Sequence, residues 1–415
     1  MRLLAISFML PPMLYPQAIQ IGRLLEGSGL ELATLNGRFE GDGMSPQGQG
    51  FRAEQHFIRR IEVPHRTLLN GMAHRLAMRL MPFYGRSPDE FLSWSRRAAE
   101  QASQWLHEDP DAVTVMATFG EPMSDHLVGL ELKRRFGLPW LAHFSDPWSD
   151  NPFRKFQPLA NLCNRRMEGK VIEAADTVVF TSEETRQLVM RKYPRVWLDK
   201  AFVLPHSFNP KDFSGIPRSA DDGKIVLRYL GNFYGHRTPF PLFSSLARLA
   251  SARPEVLQDV RVELVGSLPG WMQLHPAIKQ LPAGLLSFCK SVSYQRSLEL
   301  MTGADLLLVI DAPARNSVFL PSKLVDYIGS GKPILGIVPP GASHELIRRL
   351  GGETADPLAS ADIDAALVKA IQEARWARGL SEPWGNAEVR AEFDIERVAA
   401  AFKDMLQGTA LKGRT

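Results

Sequence analysis

The stretch D-L-L-L-V-I-D-A-P-A-R-N-S-V-F-L-P-S-K-L-V-D-Y-I-G-S-G-K-P-I-L-G-I-V, residues Asp305 to Val338, decides the fold of this chain. Leu306 to Ile310 is a continuous apolar run of strand length, typical of inner strands of parallel sheets that are buried on both faces. After a polar loop, Pro321-Ser322 begins a predicted helix that ends at Gly331-Lys332-Pro333. A strand therefore leads into a helix amino terminus, where open α/β sheets hold ligands and free backbone N–H groups favour anions.

Two charged side chains lie near the amino end of that predicted helix. Lys323 is in its first turn and Asp326 follows three residues later, so both project from one face. A cation here can meet a diphosphate, and a carboxylate can accept hydrogen bonds from the two hydroxyls of a ribose. The two residues can equally form a solvated ion pair that contributes little. These residues alone leave both interpretations open.

Length and composition predict a two-domain globular protein. The chain has 415 residues, of which 45% are hydrophobic, and one core rarely serves so long a chain. Its 49 Lys and Arg against 45 Asp and Glu are too small an excess to indicate a nucleic-acid-binding protein. Pro11-Pro12 interrupts the apolar start, and no run reaches the ~20 apolar residues of a spanning helix. We expect a cytoplasmic protein with reduced Cys163 and Cys289.

Strand-like and helix-like segments alternate along the chain, which predicts parallel sheets in an α/β protein. The interval from Pro205 to Asp222 contains three prolines and no apolar period, as linkers do. We expect a first doubly wound domain over residues 1–207, a linker over 208–222 and a second doubly wound domain over 223–385.

Two segments of the first half have features beyond this alternation. Gly37 to Gly50 holds five glycines and predicts a mobile lid or acceptor loop. Arg66 to Tyr84 predicts a two-faced helix. We expect its apolar stripe to pack into the core, and the alternative is an anionic membrane surface. The stripe consists of Leu69, Met72, Leu76, Leu80 and Phe83, with Arg66, Arg75 and Arg79 off it.

Loops that follow predicted strands carry the other candidate residues. Gly231 to Arg237, G-N-F-Y-G-H-R, brings a permanent cation to a glycine-bearing turn, which favours an anion site. Gly266 and Val292 follow the next two strands as walls for a nucleotide base. His143 to Pro152, H-F-S-D-P-W-S-D-N-P, places Asp146 after a strand, although Ser-Asp-Pro-Trp also suits an ordinary turn.

The second half resembles the nucleotide-sugar domain of GT-B glycosyltransferases, in particular the family 4 (group 1) type of bacterial exopolysaccharide enzymes. Many members carry P-S-K-L-x-E-Y-x-x-x-G-x-P, and Pro321 to Pro333 reads P-S-K-L-V-D-Y-I-G-S-G-K-P here. Y-L-G-N-F-Y-G-H-R, which ends at Arg237, is similar to the family's diphosphate turn, and S-D-P-W to a D-P-W stretch of its amino-terminal domain. The resemblance covers nearly the whole chain. It implies two Rossmann-like domains facing a central cleft, with residues 386–415 crossing back to the first domain.

The resemblance implies transfer of a sugar with retention from a UDP-, GDP- or dTDP-sugar to a glycan or polyprenyl-linked acceptor. Arg237 and Lys323 would also stabilise the leaving diphosphate, and Asp146, then His126, are candidates for a group near the acceptor hydroxyl. We expect no metal cofactor, because the D-x-D sequences at residues 109–111 and 362–364 should not face the cleft. A peripheral position on the inner face of a membrane would suit a lipid-linked acceptor. The donor-binding residues would be Gly231, Asn232, Arg237, Gly266, Val292, Ser322, Lys323, Leu324 and Asp326.

Two positions depart from the family pattern. The first carboxylate of its paired acidic motif would fall at Val318, which cannot bind a sugar hydroxyl. The histidine that often follows the fourth strand would fall near Gly120, with Glu121, Asp125 and His126 nearby. Donor-sugar recognition must therefore differ from the commonest pattern. The alternatives are a non-hydrolysing sugar-nucleotide epimerase of the same architecture and a non-catalytic sugar-nucleotide-binding protein.

Overall fold

The computed structural model describes residues 1–39, 56–65, 71–81, 87–152, 158–216, 223–379 and 382–413. The chain forms two compact units. One contains Met1–His206 with Ile395–Thr415, and the other contains Ser207–Asp394.

The first unit is built on a parallel sheet, in which the described residues contribute seven strands in the order β3-β2-β1-β4-β5-β6-β7. Alternate residues of the first strand belong to two different core clusters, Leu4 and Ile6 to one, Leu3 and Ala5 to the other. Both faces of the sheet are therefore buried. The elements in chain order are β1 (Arg2–Ile6), α1 (Pro16–Ser28), β2 (Glu31–Phe39), β3 (Phe57–His65), α2 (Gly71–Leu80), α3 (Leu92–Glu108), β4 (Val115–Gly120), α4 (Ser124–Phe136), β5 (Trp140–Phe144), α5 (Pro158–Ala174), β6 (Thr177–Phe180), α6 (Glu183–Met190) and β7 (Ala201–Val203).

The second unit has a parallel sheet to which the described chain contributes six strands, in the order β10-β9-β8-β11-β12-β13. The elements are β8 (Ile225–Leu230), α7 (Phe240–Ala252), α8 (Pro254–Leu257), β9 (Val260–Val265), β10 (Leu286–Cys289), α9 (Tyr294–Thr302), β11 (Leu306–Ile310), α10 (Ser322–Ser330), β12 (Ile334–Ile337), α11 (Ala342–Leu350), β13 (Glu353–Ala355), α12 (Ser360–Ala377) and α13 (Ala387–Ala391). α14 (Ile395–Lys412) follows and belongs to the first unit.

The stretch from Asp305 to Val338 has the predicted strand–loop–helix–strand structure. β11 contributes Leu306, Leu308 and Ile310 to one core cluster and Leu307 and Val309 to another, so it is an inner strand buried on both faces. Its helix α10 ends at Gly331, whose φ of 66° lies in the left-handed region that favours glycine. The predicted α/β fold with parallel sheets is confirmed.

Four details of the fold do not follow from local sequence patterns. β3 was missed because much of this edge strand is exposed and its sequence, F-I-R-R-I-E-V-P-H, lacks an apolar run. Residues Trp271 to Gln280 form two 3₁₀ turns separated at His275 rather than one helix, because Pro276 cannot continue a helix. The helical sequence near the carboxyl end is interrupted at residues 392–394, between α13 and α14. α6 is capped by Ser182, which accepts from the Thr185 amide.

The first unit departs from expectation at two further places. β2 extends through Gly37 to Phe39, and the rest of the predicted glycine-rich loop lies outside the described residues. α2 covers part of the predicted two-faced helix, but its stripe is not in the core: Met72, Leu76 and Leu80 are 78%, 55% and 70% exposed. The expectation that this stripe packs inward was therefore wrong for the described part. None of the described helices is long and apolar enough to span a bilayer.

Two glycines bring the strand-end turns of the second unit together. Gly231 and Gly266 follow β8 and β9 with φ of 143° and 142°, and the Gly231 amide donates to the Val265 carbonyl at 2.9 Å. A Cβ added at Gly266 would lie 2.0 Å from the Gly231 carbonyl oxygen. Only glycine at position 266 allows this approach.

Gly266→Ala should therefore lower the free energy of unfolding more than Gly284→Ala does. Both positions have positive φ, so both variants carry a conformational cost of about 1 kcal/mol. A Cβ at Gly284 meets no atom within 4 Å, whereas the clash at Gly266 should add ~1–3 kcal/mol. Urea unfolding of the two variants measures the difference. Equal losses would show that the turns separate without cost.

Candidate functional site

Lys323 lies at the carboxyl edge of the second sheet, in the first turn of α10. Its Nζ is 3.9 Å from the centroid of the Tyr229 ring, which belongs to β8. A Cβ at Gly231 would be 3.0 Å from this Nζ, so the glycine leaves room for the ammonium. The ring face attracts a cation, and the side chain is half-buried. Lys323 is therefore held over an aromatic ring by two neighbouring elements.

Arg237 reaches the same place from the turn after β8. Its Nη2 is 2.7 Å from Oδ1 of Asp311, and the two side chains are only 18% and 6% exposed. Its guanidinium carbon lies 5.1 Å from the centroid of the Tyr234 ring, and Nη1 donates to the Tyr234 hydroxyl at 3.3 Å. Among the described residues, neither Arg237 Nε nor either Asp311 oxygen has a hydrogen-bond partner. The contact with Asp311 is thus an ion pair without aligned hydrogen bonds.

The two cations influence each other's ionisation. Burial, and then repulsion by Arg237, lower the pKa of Lys323 to about 7, while Asp311 acts in the opposite direction. Burial also lowers the pKa of Arg237, but Asp311, Tyr234 and Tyr229 together outweigh burial and leave that pKa raised. An anion that enters this site meets a permanent cation and an ammonium that titrates near neutral pH. Such perturbed groups in one place are typical of functional sites.

The amino end of α10 contributes less than predicted. Pro321 is the N-cap residue and makes no side-chain cap hydrogen bond. The Leu324 amide donates to the Pro321 carbonyl at 2.9 Å, and its side chain is fully buried. The Leu324 amide therefore donates within the turn. The groups of this helix end that can donate hydrogen bonds to a diphosphate are chiefly Lys323 and the half-buried Ser322.

Asp326 lies one turn after Lys323 and is buried. Its Oδ1 accepts a hydrogen bond from the Tyr294 hydroxyl at 3.3 Å. The next residue, Tyr327, accepts the Leu230 amide at 2.9 Å and fixes α10 to the end of β8. Asp326 is thus not a solvated partner of Lys323, so the structure favours the alternative in which the two have separate roles.

The remaining predicted donor residues line the neighbouring strand ends. Asn232 Oδ1 accepts the Ser267 amide at 2.9 Å, so this side chain joins the turns after β8 and β9. Val292 follows β10 and is exposed. Val318, where the family pattern has an acid, is buried. The structure therefore brings Gly231, Arg237 and Lys323 together, whereas Asn232 braces the turns.

In the first unit, a hydrogen-bonded network fixes the loop that carries Asp146. Trp148 is fully buried and donates from Nε1 to Asn164 at 3.1 Å. Glu168 accepts the Ser149 amide at 2.7 Å and pairs with Lys192 at 2.6 Å. Asp146 itself is half-buried. The S-D-P-W stretch is thus a rigid turn anchored by its tryptophan, with Asp146 at its edge.

His126 lies in the core of the first unit. It is fully buried, its Nδ1 is 2.8 Å from Thr118 Oγ1, and its ring centroid is 4.3 Å from that of Phe144. Burial, and to a lesser extent His143, lower its pKa to about 3. A Cβ at Gly120 would be 2.5 Å from Nε2, so this glycine covers the imidazole. His126 has no surface with which to contact an acceptor in this conformation.

Two groups escaped prediction. No role was predicted for Asp311 or for the Tyr229 ring, although Asp311 pairs with Arg237 and the ring lies against Lys323. A polar residue at the carboxyl end of a buried parallel strand was the available signal for Asp311. Within the described ranges, no three His, Cys, Asp or Glu side chains are grouped as metal ligands would be.

No protein-family model matches the chain, and no curated protein matches it in sequence. Solved structures match along its whole length. Anabaena HepE, in complex with UDP and glucose, is 16% identical with a TM-score of 0.65 over 98% of this chain and 100% of that chain. Sucrose-phosphate synthase from Thermosynechococcus elongatus is 15% identical with a TM-score of 0.71 over 100% of both chains.

The lipopolysaccharide outer core galactosyltransferase WaaB is 14% identical, with a TM-score of 0.61 over 98% of this chain and 99% of that chain. At identities this low, the structural similarity establishes the fold alone. Two parallel-sheet α/β units of seven and six strands in the described residues match these structures. The chain therefore has the GT-B fold of glycosyltransferases.

Proposed function

We propose that this protein is a glycosyltransferase that moves a sugar from a nucleoside diphosphate donor to a hydroxyl of a glycan or lipid-linked acceptor. The observation that carries the proposal is that two cations lie at neighbouring strand ends of one sheet: Arg237 pairs with the buried Asp311 at 2.7 Å, and Lys323 Nζ lies 3.9 Å from the centroid of the Tyr229 ring. The comparison proteins add support, because HepE was solved with UDP-glucose and an E. coli enzyme with UDP-2-fluoro glucose.

The chemistry requires stabilisation of a leaving diphosphate. The bond between the anomeric carbon and the diphosphate oxygen breaks, and the acceptor oxygen bonds to that carbon. The acceptor proton leaves with the diphosphate or with a nearby base. Arg237 and Lys323 would neutralise the growing charge, as preorganised cations can in a site that excludes water. Asp326, oriented by Tyr294, would accept hydrogen bonds from the ribose.

The base, the stereochemistry and the acceptor side are assigned as follows. Gly266 and Val292 would border the base, and a family 4 enzyme would transfer with retention. Asp146 remains the better placed acceptor-side candidate, since His126 is buried. A sugar-nucleotide epimerase would isomerise its donor without an acceptor, and a binding protein would release no product. Product analysis with UDP-, GDP- and dTDP-sugars separates the three functions.

Lys323→Ala and Arg237→Ala should each lower kcat by about 10²-fold, or ~3 kcal/mol, because each removes one preorganised cation from the transition state. The double variant should lose less than the product of the two losses, since both residues act on one diphosphate. The measurement is turnover at saturating donor. Arg248→Ala removes an exposed arginine of α7 and should leave turnover unchanged. Wild-type kcat in both single variants would contradict the proposal.

Activity should persist in EDTA. Two cationic side chains would occupy the positions where a divalent cation supports the diphosphate in metal-dependent transferases. Sugar transfer is measured after dialysis against EDTA and again after addition of Mg²⁺ or Mn²⁺. We expect less than about a twofold difference. Abolished transfer, restored by one of these ions, would show that the cations do not suffice.

A second proposal concerns α2, whose exposed apolar stripe would rest on an anionic membrane surface. The stripe comprises Met72, Leu76 and Leu80. The helix, G-M-A-H-R-L-A-M-R-L, contains no acidic residue, and Arg79 is exposed in its last turn. Apolar side chains beside basic ones fit the boundary between anionic headgroups and acyl chains. Such a position would suit an acceptor on a lipid carrier.

Arg75→Glu with Arg79→Glu should weaken binding to vesicles rich in phosphatidylglycerol by at least about tenfold, since each basic residue contributes about 1 kcal/mol. Leu76→Asp should weaken binding similarly. Leu411→Asp changes a leucine of α14 that is also exposed and is the matched control. Co-sedimentation at low and high salt gives the affinities. Equal binding by all four proteins would rule out α2 as the contact.

A further inference from the structure

The carboxylate of Asp311 is unexpected in a site that binds an anion. It lies at the end of β11, its amide donates to the Ile337 carbonyl at 3.1 Å, and its carboxylate is buried. A carboxylate in this position repels a diphosphate. Burial of a charge without hydrogen bonds is also costly, and neither oxygen of Asp311 has such a partner among the described residues. Stability of the fold therefore does not explain why an aspartate occupies this position.

We propose that Asp311 is a positioning residue, whose carboxylate holds the Arg237 guanidinium at the strand ends where Lys323 also lies, so that one diphosphate can meet both cations. This inference rests on the proposed function and deepens it. Asp311 does not need to touch the donor, since it acts through the two cations.

The first part of the argument is geometric. An arginine has five N–H donors, and Nη2 of Arg237 lies 2.7 Å from Asp311 Oδ1. Tyr234 packs against the guanidinium and accepts from Nη1. Nε has no partner in the described structure. Asp311 thus fixes one end of the planar group and leaves donors for an incoming anion.

The second part is electrostatic. Two cations in one poorly solvated place repel each other, and the Coulomb energy grows as the dielectric falls. Arg237 lowers the pKa of Lys323, and Asp311 raises it. Without Asp311, no negative charge would offset the repulsion between Arg237 and Lys323, and Lys323 would lose its proton at lower pH. A neutral lysine offers much weaker stabilisation to a leaving diphosphate.

Titratable groups near Lys323 come from several neighbouring elements of the described structure. Tyr229 lies on β8, Tyr234 and Arg237 in the turn after it, Asp311 at the end of β11, and Asp326 on α10 itself. Tyr294 of α9 contacts Asp326. Burial raises the pKa of Tyr229 far above neutral, and Arg237 stays charged. Between pH 6 and pH 8, the Lys323 ammonium is thus the cation of this site whose charge changes, and Asp311 favours its charged form.

The test uses Asp311→Asn, which keeps the size and removes the charge. Simple removal of a repulsive carboxylate should strengthen donor binding and leave turnover intact. A positioning role predicts the opposite, a fall in kcat of at least about tenfold at pH 8 that shrinks at pH 6. It also predicts that the alkaline limb of the pH profile moves to lower pH. Asp311→Glu should restore the limb in part. Asp364→Asn disrupts another arginine–aspartate pair of this unit and should not move it.

A second measurement does not require the donor. In protein labelled with ¹³C at lysine Cε, the Lys323 resonance, assigned with Lys323→Arg, is followed between pH 5 and pH 10. Its midpoint should fall in Asp311→Asn and return toward wild type in Asp311→Glu, and Asp311→Ser carries the test if the asparagine variant fails to fold. An unchanged midpoint together with unchanged kcat would overturn the inference. Failure of the wild type to bind any nucleotide sugar would instead overturn the proposed function, while the lysine titration would still decide the role of Asp311.

Discussion

The parallel direction of the strands is the constraint on which the second unit's site depends. In a parallel sheet, every strand ends at the same edge, so residues distant in the chain meet wherever two neighbouring strands end. β8 and β11 are such neighbours, and their ends carry Arg237 and Asp311. The helix after β11 adds Lys323. Glycine at position 266 lets the turns after β8 and β9 approach each other, and glycine at position 231 leaves room for the Lys323 ammonium.

Much of this arrangement follows from sequence because it depends on local rules. The buried run of β11, the glycine end of α10 and the cation in the turn after β8 are each visible in a few residues. β3 was not predictable in the same way, since it is an edge strand held by pairing with β2 rather than by its own apolar pattern. His126 was equally misleading. Its burial depends on Phe144 and Gly120, and Phe144 comes from another strand, so its position in the sequence gives no sign of it.

The site has a cost for the folded chain. Lys323 has a pKa of about 7 in the folded protein against an ordinary value of 10.5. Because the folded pKa is the lower one, the unfolded chain binds this proton more tightly. Lys323 therefore destabilises the fold fully below about pH 7, and the penalty is relieved as pH rises toward 10.5. A bound anion would favour the charged ammonium and offset the same penalty. Such a trade between stability and function is common at binding sites.

The Arg237–Asp311 pair of the second unit and the Glu168–Lys192 pair of the first differ in how far their polar atoms are satisfied. Asp311 is buried and Arg237 half-buried, and both retain atoms without hydrogen-bond partners among the described residues. In the first unit, Glu168 and Lys192 satisfy each other within the network that fixes the Trp148 loop. Rigid packing there presents Asp146 at an edge and keeps His126 neutral inside. Under the proposed function, the electrostatic work of the reaction would thus fall on the donor side, where the leaving diphosphate gains its charge. The acceptor side would chiefly supply shape and orientation, which a rigid loop provides better than a titrating group.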